Sequence, residues 1–160
     1  MKKQIGFTLL ELMITLVIFG TIVSAAVPKL QSLLERSSIE SLTPLFERSL
    51  KYARDEAIGK NLTVQILPRE VGSDWSQGWK VQYITLGGAV EDLRSFDPLP
   101  GSPTFTSTDF STTNPIKIAG TGQVEKTGDI FLHYPGCAGM QKIQFSLLIS
   151  GILKKSKIAC

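Results

Sequence analysis

The feature that most constrains this chain lies at its start. Two lysines, Lys2 and Lys3, precede Gly6, and an apolar run then begins at Phe7 and continues to Val27 with a single charge, Glu11. The run is about 21 residues long, roughly 30 Å as a helix, which matches the hydrocarbon thickness of a bilayer. A helix apolar on every side cannot bury itself in a chain of 160 residues. It needs lipid or another protein around it. Lysines on the short N-terminal side predict that this end stays in the cytoplasm and that the body lies on the outer side of the membrane.

Glu11 sharpens the reading. An ionised carboxylate at a bilayer centre costs about 2.5–3.5 kcal/mol on insertion scales, and even near the interface a plain anchor has no use for it. A secretory signal cut after small residues offers another reading, since Ser24-Ala25-Ala26 follows the apolar core. It leaves Glu11 unexplained.

The order Lys3-Gln4-Ile5-Gly6-Phe7-Thr8-Leu9-Leu10-Glu11 resembles the processing site of type IV pilins and type II secretion pseudopilins. The resemblance implies removal of residues 1–6 by a prepilin peptidase, which cuts between Gly6 and Phe7. It also implies N-methylation of Phe7 and retention of the apolar helix. Glu11 then pairs with the Phe7 amine of a neighbouring subunit. Two buried opposite charges are each costly alone and tolerable together, and such a pair fixes register. Methylation keeps the amine's positive charge.

Pro28 ends the apolar run, and a proline at this place implies a helix kink. Beyond it Leu30, Leu33, Leu34, Leu42, Leu45, Phe46, Leu50, Ala53 and Ala57 recur at helical spacing. Pro44 predicts an interruption, with Thr43 capping a renewed helix. Gly59 and Asn61 predict the stop. The expected divisions are a leader at 1–6, an assembly helix at 7–27, an amphipathic helix at 28–59 and a β domain at 60–160.

After residue 60 the periodicity changes to two. Strands are expected at 62–67, 79–85, 90–96, 116–118, 129–134, 142–150 and 153–158, and residues 97–115 read as a long loop. Gly87-Gly88, Gly120, Gly122, Gly128 and Gly151 mark turns. A helix followed by an antiparallel sheet is an α+β arrangement. Tyr52 to Asn61 and Asp74-Trp75-Ser76-Gln77-Gly78-Trp79-Lys80-Val81 resemble the GspH/FimT family, whose pilin fold sets a long helix against a C-terminal antiparallel sheet. Trp75 and Trp79 read as a packing clamp.

Net charge is +3, and two of those charges lie in the leader, so bulk charge implies no nucleic-acid partner. After Asp129 there is no acidic residue, while Lys142, Lys154, Lys155 and Lys157 follow. Some FimT-like pilins bind double-stranded DNA through a basic C-terminal segment with Gly-Arg-x-Arg; here Gly151 is followed by Ile152-Leu153-Lys154-Lys155. Lys154, Lys155 and Lys157 are thus candidates for phosphate contact or for blocking edge-to-edge strand pairing. In an exported chain Cys137 and Cys160 are expected to form a disulfide that ties down the last strand.

The residues suggest no catalytic constellation, no metal-ligand spacing and no cofactor motif, and His133 stands alone. The expectation is a non-enzymatic minor pilin of the inner membrane and pilus that helps initiate assembly, with twitching motility and DNA uptake as candidate roles. Its partners are the peptidase, other major and minor pilins or pseudopilins, and lipid before assembly, with no small-molecule substrate. The alternatives are an H-type minor pseudopilin of type II secretion and a DNA-binding subunit at the pilus tip.

Overall fold

The computed structural model describes residues 9–134 and 141–159; the side chains at 25, 28, 31–33, 35, 36, 38 and 141 are not described. The leader, the Gly6–Phe7 bond, Cys137 and Cys160 therefore lie outside the described residues, and with them the expected disulfide. One helix, α1 (Leu9–Lys60), and eight strands follow in order. The chain divides into two compact units, Met1–Arg36 and Ser37–Cys160.

In the first unit the large apolar side chains are exposed, among them Leu9, Leu12, Ile14, Phe19 and Ile22. Three hydroxyls interrupt the run among the described residues, and each satisfies itself. Thr15 donates to the Leu12 carbonyl at 2.8 Å, Thr21 to Ile18 at 2.7 Å and Ser24 to Thr21 at 2.8 Å. Such back-bonding removes the cost of placing a hydroxyl in apolar surroundings. The backbone stays helical through Pro28. Among the described residues no helix is long and apolar enough to cross a membrane. The run read from the sequence begins at Phe7, before the first of them.

In the second unit, α1 presents its apolar stripe to two sheets. Ile39, Leu42, Phe46, Leu50, Ala53 and Ala57 are buried. The stripe begins at Ile39, later than the spacing predicted, since Leu30 and Leu34 are exposed. The helix also runs through Pro44 without the expected break. Thr43 does not cap a new start; its hydroxyl donates to the Ile39 carbonyl at 2.9 Å. Buried Ser49 does the same to Phe46 at 2.8 Å. Packing of the stripe outweighs the hydrogen bond that proline removes.

The helix ends at Lys60, and Asn61, one of the two residues expected to stop it, forms the cap. Asn61 takes a left-handed φ of 53°. Its N–H donates to the Ile58 carbonyl at 3.3 Å, and the Leu62 N–H donates to Ala57 at 3.2 Å. This is the two-bond pattern of a Schellman cap.

The strands are β1 (Thr63–Pro68), β2 (Trp79–Ile84), β3 (Val90–Phe96), β4 (Thr104–Ser107), β5 (Ile116–Ile118), β6 (Gly128–His133), β7 (Gln141–Leu147) and β8 (Leu153–Ala159). They form two antiparallel sheets, β3-β2-β1-β5 and β4-β6-β7-β8. The predicted long loop at 97–115 therefore contains a strand. β4 alternates with Phe105 and Ser107 buried, a four-residue signal masked by the Pro, Ser and Thr around it. Gly128 is no turn either. It opens β6 opposite Leu147, where an added Cβ would lie 2.6 Å from the Asp109 Cβ.

Phe46 is the meeting point of the core. Trp75, Trp79 and Phe105 stand edge-on to its ring at 5.8, 5.5 and 5.1 Å, and Phe145 is tilted at 5.5 Å. Trp79 comes from the first sheet, Phe105 and Phe145 from the second. Trp75 and Trp79 are thus core residues, as the clamp reading required. Gly78 shapes the turn between them with φ 90°, where a Cβ would sit 2.2 Å from the Phe96 carbonyl.

Three substitutions separate these effects in thermal or urea unfolding. Phe46→Ala is expected to cost about 3–5 kcal/mol. Gly78→Ala is expected to destabilise by more than about 1 kcal/mol through left-handed strain and the backbone clash. Gly59→Ala meets nothing within 4 Å and is expected to stabilise by about 0.5–1 kcal/mol.

Candidate functional site

The first turn of α1 carries Glu11 among exposed Leu9, Leu10 and Leu12. The expected counterpart of Glu11, the Phe7 amine, lies outside the described residues.

The basic segment is strand β8, the last of its sheet, and the strand period divides its lysines. Leu153, Lys155 and Lys157 share the face turned to α1, while Lys154 and Ser156 alternate with them. Lys155 Nζ lies 3.1 Å from Glu47 Oε1, and Lys157 Nζ lies 2.9 Å from Glu40 Oε1. Glu40 and Glu47 are two helical turns apart, about 10 Å, against about 7 Å for two strand residues. The lysine stems span the difference. Both pairs are about half exposed, so each contributes about 0–1 kcal/mol. Lys154 has no carboxylate partner among the described residues.

The lysines are thus not one cluster. Two are engaged within the fold, and only Lys154 presents its charge outward. Glu40 and Glu47 lie seven residues apart, on one helix face. Their pairing with a strand more than a hundred residues later was not legible in the sequence.

Other polar groups serve the fold. Gln65, Gln82 and Asp92 form a hydrogen-bonded row across β1, β2 and β3, at 2.9 and 2.6 Å. Tyr83 donates to Glu91. This bond, with lesser contributions from burial and the Glu91 charge, raises the Tyr83 phenol above its ordinary 10.0. Burial, and then Glu56, raises Tyr52, with Arg94 acting against them. Arg94 lies over the rings of both Tyr52 and Phe96, at 5.6 and 5.0 Å. His133 Nδ1 meets its neighbour's carbonyl, Tyr134 O, at 3.1 Å. No group of three or more His, Cys, Asp and Glu residues among those described could hold a metal ion.

An N-terminal helix whose second half carries antiparallel sheets is a pilin-type α+β fold. The type IV minor pilin FimU of Pseudomonas aeruginosa strain PAO1 has a similar structure, with a TM-score of 0.58 at 18% identity over 76% of this chain and 87% of that one. So has the minor pseudopilin EpsH from the type 2 secretion system of Vibrio cholerae, with 0.57 at 12% over 77% and 96%. At these identities the likeness is one of fold. Comparison with curated protein sequences gives no match. Residues 1–27 match the prokaryotic N-terminal methylation motif, and residues 45–147 match the family of the type II transport protein GspH. The chain belongs to the GspH family.

The two ion pairs and the raised phenols are directly measurable. Lys155→Ala and Lys157→Ala are each expected to cost no more than about 1 kcal/mol, and less at high salt. In an ultraviolet titration, Tyr52 and Tyr83 are expected to ionise above 10.0, and Tyr83→Phe should remove one late-titrating phenol. A phenol raised on folding favours the folded state below its unfolded value, and this contribution is lost as pH rises through the folded one.

Proposed function

We propose that this chain is a minor subunit of a type IV filament, a minor pilin that enters a pilus and helps start its assembly. One observation carries the reading. An exposed apolar helix opens with Glu11 in its first turn, inside a segment matching the N-terminal methylation motif. A carboxylate in apolar surroundings calls for a cation, and a processed N-terminal amine is one.

In this reading prepilin peptidase cuts between Gly6 and Phe7, and Phe7 is N-methylated. The stretch from Phe7 to Val27 holds the subunit in the inner membrane, with its N-terminus cytoplasmic and its body periplasmic. Lipid surrounds this helix first, and the helices of other subunits replace lipid on assembly. The Phe7 amine of one subunit and Glu11 of the next then form a buried pair that sets axial register. The subunit does no chemistry. Lys155 and Lys157 close β8 on the helix, and one outward lysine, Lys154, supplies little phosphate affinity. β8 therefore lends a DNA-uptake role little support.

The GspH family match favours a second reading, a minor pseudopilin of type II secretion. The two readings share the site and differ in the machine served.

Intact-mass and N-terminal peptide analysis of the chain from its own cell envelope tests the common part. The expected mature chain begins at N-methylated Phe7. Gly6→Val is expected to leave residues 1–6 attached, and Glu11→Ala to be processed but largely lost from sheared filaments. A wild-type chain that retains Met1, or a Glu11→Ala variant recovered in filaments at the wild-type level, would sink the proposal. A deletion strain decides the machine. Lost twitching with normal exoprotein secretion identifies the pilus, and the reverse identifies type II secretion.

A further inference from the structure

Apolar side chains are exposed in both units, and the charges around them differ. The β7–β8 hairpin tip, with Leu148, Ile149 and Ile152, has both signs at its margin, Arg54 and Lys154 beside Asp55 and Glu91. The first unit is simpler. From residue 7 to residue 34 the chain carries only two charges, Glu11 and Lys29, and both side chains are exposed.

α1 runs unbroken through both. Lys29 follows Glu11 by 18 residues, which is five complete turns at about 3.6 residues each. The two charges therefore stand on one side of the helix, about 27 Å apart. Thr15, Ile18 and Ile22 lie between them on that side, at steps of three and four residues. Thr15 and Thr21 donate their hydroxyl protons to the Leu12 and Ile18 carbonyls, so neither needs water. Next to Lys29 lies a shallow groove, lined by Thr21, Ile22, Ala26 and Lys29 itself. Ala26 is short, and the groove passes over it beside the longer Ile22.

A hydrocarbon layer is about 30 Å thick. In the membrane reading proposed above, on which this inference rests, Glu11 at the cytoplasmic boundary places Lys29 at the outer one. An ammonium at that level meets lipid phosphates, and it favours a headgroup with net negative charge. The next charges along the chain, Glu35 and Arg36, are adjacent and of opposite sign, so Lys29 sets the sign at this level. A second copy matches the site less well. With the Phe7 amine of one subunit against Glu11 of the next, neighbouring helices are offset by four residues, about 6 Å, which brings one Lys29 toward another. We infer that Lys29 and the groove of Thr21, Ile22 and Ala26 bind one anionic phospholipid of the outer leaflet. Its phosphate sits on the ammonium and one acyl chain runs along the groove. The site sets how deeply the helix lies before assembly.

Photo-cross-linking of the full chain in phosphatidylcholine vesicles containing phosphatidylglycerol tests this. A diazirine residue replaces Ile22 in the groove, or Val27 on the side of the helix away from Lys29. Mass spectrometry of the adducts identifies the lipid. At Ile22 phosphatidylglycerol is expected about fivefold above its share of the bilayer, and at Val27 at its share. Lys29→Gln should abolish the enrichment and Lys29→Arg retain it. Equal enrichment at both positions, none at either, or enrichment that survives Lys29→Gln overturns the inference. So does an Ile22 adduct only with protein. In each of these cases lipid adducts at Val27 leave the membrane reading standing. No lipid adduct at either position overturns the two together.

Discussion

The globular unit depends on one ring. Phe46 projects from the helix into a space bounded by Trp75, Trp79, Phe105 and Phe145. The two sheets do not share a continuous hydrogen-bonded ladder. Apart from loop backbone bonds, such as the Asp74–Thr106 bridge and Val124 N–H to the Ile149 carbonyl at 3.0 Å, what joins them is apolar contact with the helix and with each other. Burial of one aromatic side chain stabilises by about 1.5–3 kcal/mol, and edge-on ring pairs add about 0.5–1.5 kcal/mol each. Phe46 makes such contacts toward both sheets at once. The geometry of the tryptophan turn follows from this need. Gly78 adopts a conformation closed to other residues so that Trp75 and Trp79 can reach the same ring. The indole N–H groups of both tryptophans are buried without an acceptor among the described residues. Each omission costs about 1–3 kcal/mol, which the fold accepts in return for the ring cluster.

The lysine-rich end shows how strand geometry redistributes a charge run. Read linearly, Lys154, Lys155 and Lys157 are one basic patch. A strand places alternate residues on opposite faces, and only the odd-numbered pair meets Glu47 and Glu40. The pairs are weak, but they hold an edge strand near the chain's end against the helix, where fraying would otherwise begin. Lysines along an edge also discourage pairing with a stray strand. One set of residues therefore closes the fold and protects its margin.

Much of this was legible before the structure, and the misses have physical causes. Seven of the eight strands were expected from the sequence; β1, β5 and β6 bury alternate residues, while β3 and β8 stay largely exposed and show no such alternation. β4 was not expected, because four residues amid Pro, Ser and Thr carry too short a period. Ile39 escaped the stripe because Leu30 and Leu34, exposed in the other unit, offered a better-looking continuation of the same spacing. Pro44 misled because its cost is local. Local propensity costs a few kcal/mol at most, and a stripe of six buried residues outweighs it. The division into two sheets was not legible at all, because pairing between strands distant in sequence leaves no mark on either. At the N-terminus the reverse holds. Glu11 was conspicuous because a carboxylate in an apolar run violates a local rule, and such violations mark function.

Each unit leaves apolar surface without an internal partner, and in each the polar groups are arranged so that the surface can be covered. In the first unit Thr15, Thr21 and Ser24 turn their hydroxyls back onto the helix, so these groups need no water to satisfy them. In the second, the hairpin tip's N–H and carbonyl groups bond one another and the neighbouring loop, so its aliphatic side chains can be desolvated without stranding backbone groups. A chain folding only for itself has no need to prepare exposed surface for dryness. The two surfaces differ in what they can recognise. Along the apolar run the single charge is Glu11, the group to which the proposed assembly gives the axial register. The hairpin end has a hydrogen-bonded backbone, and its margin carries both signs, Arg54 and Lys154 beside Asp55 and Glu91.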